Sequence, residues 1–427
     1  MHSKRVNIIG GGLSGVECAL YLADRGIDVT IYEMRPKKMT PAHKTGYLAE
    51  LVCSNSLKSE EITNAHGLLK AEMKILGSTL LSFAEKHRVP GGKALVVDRE
   101  RFSRDITEFT ERVCNVVREE KGIDELDGIV VIAGGPLASE KITHSLKKYT
   151  GEYLYFYDAV SPIVSSESID MDWAFMGSRY GAGEDYINCP LTKEEYYQFV
   201  EALLNAEKHI PHIKEDLFFE GCLPIEEMAR RGKETLRFSL MKPVGLKIPE
   251  KFKNTFAIVQ LRRENREGNM WNIVGFQTRL KIGEQKRVFR MIPCLKKAEF
   301  LRYGKIHRNT YINSPKVLDR YLKLMENVYV IGTLTGVEGY VEAMATGLLT
   351  GINIYRELIG KEPVLPPEGT MMRGLIDHLH EEKKDFQPMN ANFGLLPPTP
   401  GKGKEKRRIA SERAIKLIDE WRRDYGI

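Results

Sequence analysis

No apolar run in this chain approaches the roughly 20 residues needed to cross a bilayer as a helix. A helical membrane protein is therefore excluded. The opening MHSKRVNIIGGG sets basic residues ahead of apolar ones, as a secretion signal would. Glycines and Glu17 follow too soon for that, so secretion is not expected. Clustered cysteines are also missing: Cys18, Cys53, Cys114, Cys189, Cys222 and Cys294 are scattered, with no C-x-x-C pair and no zinc spacing. Neither a structural metal nor a disulfide framework is expected, and the pattern suits a reducing cytoplasm.

The net charge of +6 excludes little, but its distribution is informative. Met228 to Arg308 holds 21 Lys/Arg against 6 Asp/Glu, an excess of +15, which leaves the rest of the chain at −9. A basic block on an otherwise acidic protein is the footprint of a polyanion partner, or a solvated face whose counter-charges come from folding.

What is present starts at the N-terminus. RVNIIGGGLSGVECALYLADRGIDVTIYEMRP reads as strand, turn, helix, strand. Gly10, Gly12 and Gly15 fit G-x-G-x-x-G after the apolar run Val6 to Ile9. Val16, Ala19, Leu20 and Ala23 share one helical face, Gly26 ends the helix, and Asp28 to Tyr32 forms the second strand. Gly10 permits the tight turn, Gly12 lets backbone approach a pyrophosphate, and Gly15 lets helix and strand pack closely. Glu33 follows Gly10 by 23 residues, on schedule to accept hydrogen bonds from a ribose diol.

A second unit decides between nucleotides. Val328 to Ile331 reads as a strand, Gly332, Gly336 and Gly339 as a loose turn, and Tyr340 to Leu358 as a small-residue helix. Gly128 to Ser139 reads as a buried strand ending in glycines. One N-terminal Rossmann unit completed by distant returning segments is the layout of FAD-binding oxidoreductases. No second G-x-G-x-x-G occurs. A dedicated NAD(P)H domain is not expected, and a reductant would visit the flavin face directly.

Between these units the chain is rich in aromatics. Thr192 to Leu204 reads as a helix with Thr192 as N-cap and Glu195 at the capping-box position. TFAIVQLRRE and MWNIVGFQTRL are strand-like. The expected fold is α/β: a FAD-binding Rossmann-like domain of glutathione-reductase type, residues 1–163 and 306–427, with a smaller inserted α/β domain, residues 164–305, basic and suited to a polyanion. In the tail, Pro397 to Lys406 reads as a loop and Ile409 to Tyr425 as an amphipathic helix.

Cys53 lies in the polar stretch ELVCSNSLKSEE, and Cys222 lies between Gly221 and Pro224. Three chemistries suit a flavoprotein with two turn-borne cysteines. Thiol–disulfide exchange uses cysteines close in sequence, whereas these are 169 residues apart. A small-molecule flavin oxidase leaves the basic block unexplained. Attack of a thiolate on an electron-poor pyrimidine of a nucleic acid uses every feature.

Over nearly its whole length the chain resembles the folate- and FAD-dependent tRNA (uracil-5-)-methyltransferases, relatives of the flavoproteins that modify wobble uridines. The resemblance rests on TGYLAELVCSNSLKSEE, SRYGAGEDYINCP, FEGCLPIEEMARRG, LRFSLMKPVGL, HRNTYINSP, GVEGYVEAMATGLLTGINI and FQPMNANFGLLPP, among others. One departure is VIAGGPLAS, where the family more often has Thr before the second Gly.

The resemblance implies a cytoplasmic enzyme. Methylenetetrahydrofolate would supply one carbon, FAD would carry the chemistry, and NADPH or NADH would reduce the flavin. The methyl would reach carbon 5 of the T-loop uridine of tRNA. No membrane, DNA or metal is involved. It implies Cys222 as nucleophile and Cys53 as base, an order the residues leave open. Cofactor contacts would come from Gly10, Gly11, Gly12, Leu13, Ser14, Gly15, Glu33, Gly332, Gly339 and Tyr340. His307 and Asn309 are candidates for the folate–flavin pocket, since a flat ring can stack on a pterin. The rivals are the same chemistry on ribosomal RNA, a small-molecule oxidase, and an RNA-binding flavoprotein without activity.

Overall fold

The computed structural model describes residues 5–151, 153–209, 218 and 223–427; Cys222 and its neighbour Gly221 lie outside the described residues. A six-stranded sheet runs in the order Lys323–Met325, Val328–Val330, Ile129–Ile132, Arg5–Ile9, Asp28–Tyr32, Asn115–Val117. Its central pairings are all parallel, and only the hairpin at the Lys323 edge is antiparallel. Ile8, Ile31, Val130 and Val131 are fully buried, as strands covered on both faces require. The sheet's order reverses beside Arg5–Ile9, whose neighbours are Asp28–Tyr32 on one side and Ile129–Ile132 on the other. The crevice beyond the carboxyl ends of such strands is where α/β sheets bind ligands.

Helix Leu13–Ala23 crosses helix Tyr340–Leu358 at very close range. A Cβ on Gly347 would stand 2.2 Å from the Ser14 carbonyl oxygen, so only glycine fits there. The late strand–glycine–helix unit therefore packs directly on the first one.

The middle of the chain builds a second sheet, entirely antiparallel: Phe175–Met176, Tyr186–Leu191, Ala257–Arg263, Met270–Ile273, Ile163–Ser165, Phe300–Arg302. Helix Lys193–Asn205 covers one face with Tyr196, Phe199, Val200 and Leu203. Its reciprocal Thr192–Glu195 capping box is formed. Two separate apolar cores result. One draws on residues 6–156 and 311–421, the other on residues 164–298. The ladder of Leu154–Ala159 with Ile306–Tyr311 stands between them in the chain.

Two expectations are corrected. Cys189 and Cys294 form a disulfide, with Cα atoms 5.9 Å apart in the second core. They are 105 residues apart in sequence, and only the folding of a strand against the Pro293–Leu295 turn brings them together. The C-terminal helix spans Gly403–Tyr425 and takes in the end of the expected loop. Arg408 pairs there with Glu405 and Glu412, one turn away on either side, which supports the added turns. Among the described residues no helix is long and apolar enough to cross a membrane.

Candidate active site

Three strand ends meet at the reversal of the sheet. Ile9 runs into Gly10, Tyr32 into Glu33, and Ile132 into Ala133–Gly135, and all of these but Ile132 line one cavity. Gly10 has φ +111, and a Cβ there would stand 2.3 Å from the Ala133 carbonyl oxygen. A Cβ on Gly15 would stand 2.1 Å from the Gly10 carbonyl oxygen. The protein's own packing demands these two glycines. Gly12 differs. Its φ of −77 suits any residue, and among the described residues no heavy atom beyond its chain neighbours lies within 4 Å of where its Cβ would be. That space adjoins the first turn of helix Leu13–Ala23, whose N-terminus has no side-chain cap. Free N–H groups, a positive helix end and an open approach fit a pyrophosphate.

Glu33 is buried and accepts four hydrogen bonds: from the Gly11 N–H (2.9 Å), the Arg35 N–H (2.9 Å), Arg35 Nε (2.9 Å) and Arg35 Nη2 (3.0 Å). Burial alone would raise its carboxyl. The Arg35 hydrogen bonds and charge outweigh burial and hold it below the usual carboxylate range. A carboxylate has about four lone-pair positions, so a ribose hydroxyl would share or displace one of these donors. Arg35 also reaches Glu50 at 3.3 Å, which ties the nucleotide end to the start of the Cys53 stretch.

Cys53 lies on the wall of the same cavity. The Tyr340 hydroxyl, at the start of the late helix, accepts the N–H groups of Cys53 (2.7 Å) and Ser54 (3.1 Å). Arg99 donates to the Leu51 carbonyl (2.9 Å), Arg302 to the Val52 carbonyl (2.6 Å), and Arg262 to Asn55 (3.1 Å) and Ser54 (3.3 Å). The loop is thus gripped from both cores. Burial and the Cys53 neighbourhood raise the Tyr340 phenol.

The polar atoms here are not all matched. Among the described residues His307 Nε2, Thr333 Oγ1 and Glu342 Oε2 are buried without a hydrogen-bond partner, and all three residues line the cavity. Burial, then the charges of Arg302 and Lys305, push His307 down to about 4, so its ring is neutral. Burial first, and the adjacent Asp158 carboxylate second, raise Glu338 well above the usual range. Orphaned groups and shifted carboxyls on a cavity wall are the signature of a place built for a ligand.

The glucose inhibited division protein A family matches residues 5–362. The methylenetetrahydrofolate–tRNA-(uracil-5-)-methyltransferase TrmFO of Thermotoga maritima is 53% identical over 427 residues, covering 97% of this chain and 98% of that protein. The TrmFO of Aquifex aeolicus is 52% identical over 435 residues, covering 99% and 98%. The chain belongs to the TrmFO family, within the glucose inhibited division protein A group. Its fold is shared with Aquifex aeolicus GidA, at a TM-score of 0.72 and 16% identity, covering 99% of this chain and 76% of that one.

Against this TrmFO-family frame, the residues singled out from sequence divide. Gly10, Gly12, Leu13, Ser14, Glu33, Cys53, His307, Asn309, Gly339 and Tyr340 all line the cavity. Gly11, Gly15 and Gly332 stand behind its wall. A Cβ on Gly11 would meet Leu48 at 2.4 Å, and one on Gly332 would meet Ser14 Oγ at 2.5 Å. Sequence reasoning missed the clamp of Arg99, Arg262 and Arg302 and the Asp158–Glu338 pair. No local spacing links them, since they meet only through tertiary contacts. Among the described residues no group of three or more His, Cys, Asp or Glu could hold a metal.

Proposed function

We propose that this protein methylates carbon 5 of the T-loop uridine of tRNA, with methylenetetrahydrofolate as one-carbon donor, FAD as cofactor and NADPH or NADH as reductant. The observation that carries this reading is Cys53 on the wall of the cavity that the G-x-G-x-x-G turn opens. An oxidase would not need a thiol there. The relatives' printed names add the donor and the tRNA. FAD, which the Gly10–Gly15 turn, the N-terminus of helix Leu13–Ala23 and Glu33 would hold, would supply the hydride that completes the methyl group.

The chain's own groups do the rest. Carbon 5 of uracil is a weak nucleophile until a thiolate adds to the adjoining ring carbon, and that role is assigned to Cys222. Cys53 takes the proton from carbon 5 and is held for it by the Tyr340 hydroxyl and the arginine clamp. Neutral His307, beside Asn309, offers a flat ring and an open Nε2 to the pterin or flavin. The uridine must leave its stack to reach these groups. The basic inserted region, residues 164–305, would track the phosphates.

Purified protein with unmodified tRNA transcript, methylenetetrahydrofolate and NADPH should yield 5-methyluridine. Failure to do so with flavin bound and reduced would refute the reading, and ribosomal RNA in place of tRNA tests the rival substrate. Cys53→Ala and Cys222→Ala should each abolish turnover. A covalent RNA adduct that survives in Cys53→Ala but not in Cys222→Ala would order their roles as stated, and the reverse would exchange them.

A further inference from the structure

We infer that Tyr180 is a stacking platform for an RNA base next to the target uridine. This rests on the tRNA reading above and adds a recognition residue to it. Tyr180 is a large aromatic left 63% exposed. Its backbone is left-handed, at φ +59 and ψ 32, which a bulky residue adopts only under strain. Such strain persists where the surroundings enforce it, and it gathers at functional sites. The enforcement is visible. The Tyr180 N–H donates to the Gly245 carbonyl at 2.7 Å. A Cβ on Gly245 would stand 2.8 Å from the Tyr180 ring, so the ring rests directly on bare backbone. One side of the ring is thereby fixed while much of it stays open to solvent.

The platform also has a fixed relation to the cavity. Cross-strand partners in an antiparallel sheet share a face. Arg262 lies opposite Tyr186 and Asn272, and Gln260 lies opposite Asn188, all on one face of the second sheet. Gln260, two residues along from Arg262, accepts from Arg179 Nε at 3.0 Å, and Arg179 also donates to the Val244 carbonyl. One strand thus carries Arg262, at the cavity wall beside Cys53, and Gln260, which holds the segment bearing Tyr180.

The charge around the platform suits RNA rather than an apolar partner. Lys242 and Lys247 flank Val244–Gly245 in the supporting loop, and neither is in an ion pair among the described residues. Of the nearby acids, Asp185 is engaged with the Gly92 N–H at 2.7 Å, and Glu184 stands at the tip of the adjoining turn. Base stacking on an aromatic tolerates any sequence, whereas lysines answer to phosphate.

The test exploits the strain. Asn accepts the left-handed region far better than Tyr, so Tyr180→Asn should melt no lower than wild type and keep its flavin absorbance. Its affinity for tRNA transcript should fall between about five- and a hundredfold, the loss of one stacked base, with KM for tRNA rising accordingly and NADPH oxidation unchanged. Tyr180→Phe and Tyr180→Trp should stay near wild type. The slope of log affinity against log salt should hold in Tyr180→Asn and flatten in Lys247→Ala. Unchanged tRNA affinity in Tyr180→Asn, or a loss as large in Tyr180→Phe, overturns the platform. If wild type itself neither binds nor methylates tRNA, the functional reading falls instead. Capture of a protein at this face, with RNA affinity intact, would also overturn it.

Discussion

The two ends of the cavity are built on opposite principles. At the nucleotide end, Glu33 and Arg35 satisfy one another and the Gly11 N–H, and the carboxylate has no acceptor position left over. At the Cys53 end, among the described residues, His307 Nε2, Thr333 Oγ1 and Glu342 Oε2 are buried without partners, His307 is kept neutral and Glu338 is pushed up. A closed network fixes a shape, and an open one waits for a ligand to complete it. In the function proposed above, the first end would hold a constant part of the cofactor. In that function the second would admit, orient and release reacting groups, which gives a reason for it to keep the cost of its unmatched atoms.

The sharpest break in this contrast comes from two glycines of one turn. Gly10→Ala forces a Cβ to 2.3 Å from the Ala133 carbonyl at a φ of +111, so both strain and collision apply. It should lose flavin and destabilise the fold, read as lost absorbance and a lower Tm. Gly12→Ala meets no other part of the protein among the described residues. It should melt like wild type yet bind flavin more weakly, because the methyl enters the ligand's space. Equal Tm losses in both variants would show that Gly12 serves packing rather than ligand approach.

Arg35→Ala comes next. Removing one partner of a buried, hydrogen-bonded pair costs about 3–5 kcal/mol, because the remaining charge is left unmatched. The sign with pH follows from Glu33, whose folded-state carboxyl is held below its unfolded value. Its stabilisation is present above the unfolded value and is lost as pH falls through the folded one. Wild type should therefore lose its advantage over Arg35→Ala in strong acid. Parallel melting curves across the acid range would remove the pair from the stability account.

Much of the nucleotide end was legible in the sequence because its logic is local. A strand, three glycines, a helix and an acid follow one another within 28 residues, Val6 to Glu33, and each has a steric reason. The late helix Tyr340–Leu358 was legible for the same reason. The clamp that holds the Cys53 loop was not. Arg99, Arg262 and Arg302 lie on three separate elements, and only folding brings them to one loop. The Cys189–Cys294 bond was missed because spacing rules describe cysteines near in sequence, and these two meet across the second core. The exposed strain of Tyr180 has no sequence signal, since nothing in SRYGAGED states a dihedral angle.

Tyr340→Phe probes how the two ends are joined. It keeps the ring and removes the acceptor of two N–H groups. Orphaning a buried donor costs about 1–3 kcal/mol, so the Cys53 loop should loosen while flavin stays bound. Turnover should fall by more than tRNA or flavin affinity does. A loss confined to flavin affinity would make Tyr340 a cofactor contact and nothing more.

Glu338→Gln has the smallest expected effect and isolates the open end alone. Burial, Asp158 and then Glu342 raise this carboxyl, with Lys58 opposing them. The folded state therefore holds a proton that the unfolded chain has released, over the window from the ordinary carboxylate value of about 4.3 upward. Stability must fall as pH rises through that window. Gln cannot ionise, so the variant should match wild type near the acid edge and gain on it as pH rises, by about 2 °C or less in Tm for each 1 kcal/mol in a chain of this size. Turnover should lose one ionisation from its pH profile if this proton is used in the reaction. A Tm gap that does not change with pH would mean that Glu338 gives up its proton as readily folded as unfolded, and the open end would then hold one shifted carboxyl fewer to explain.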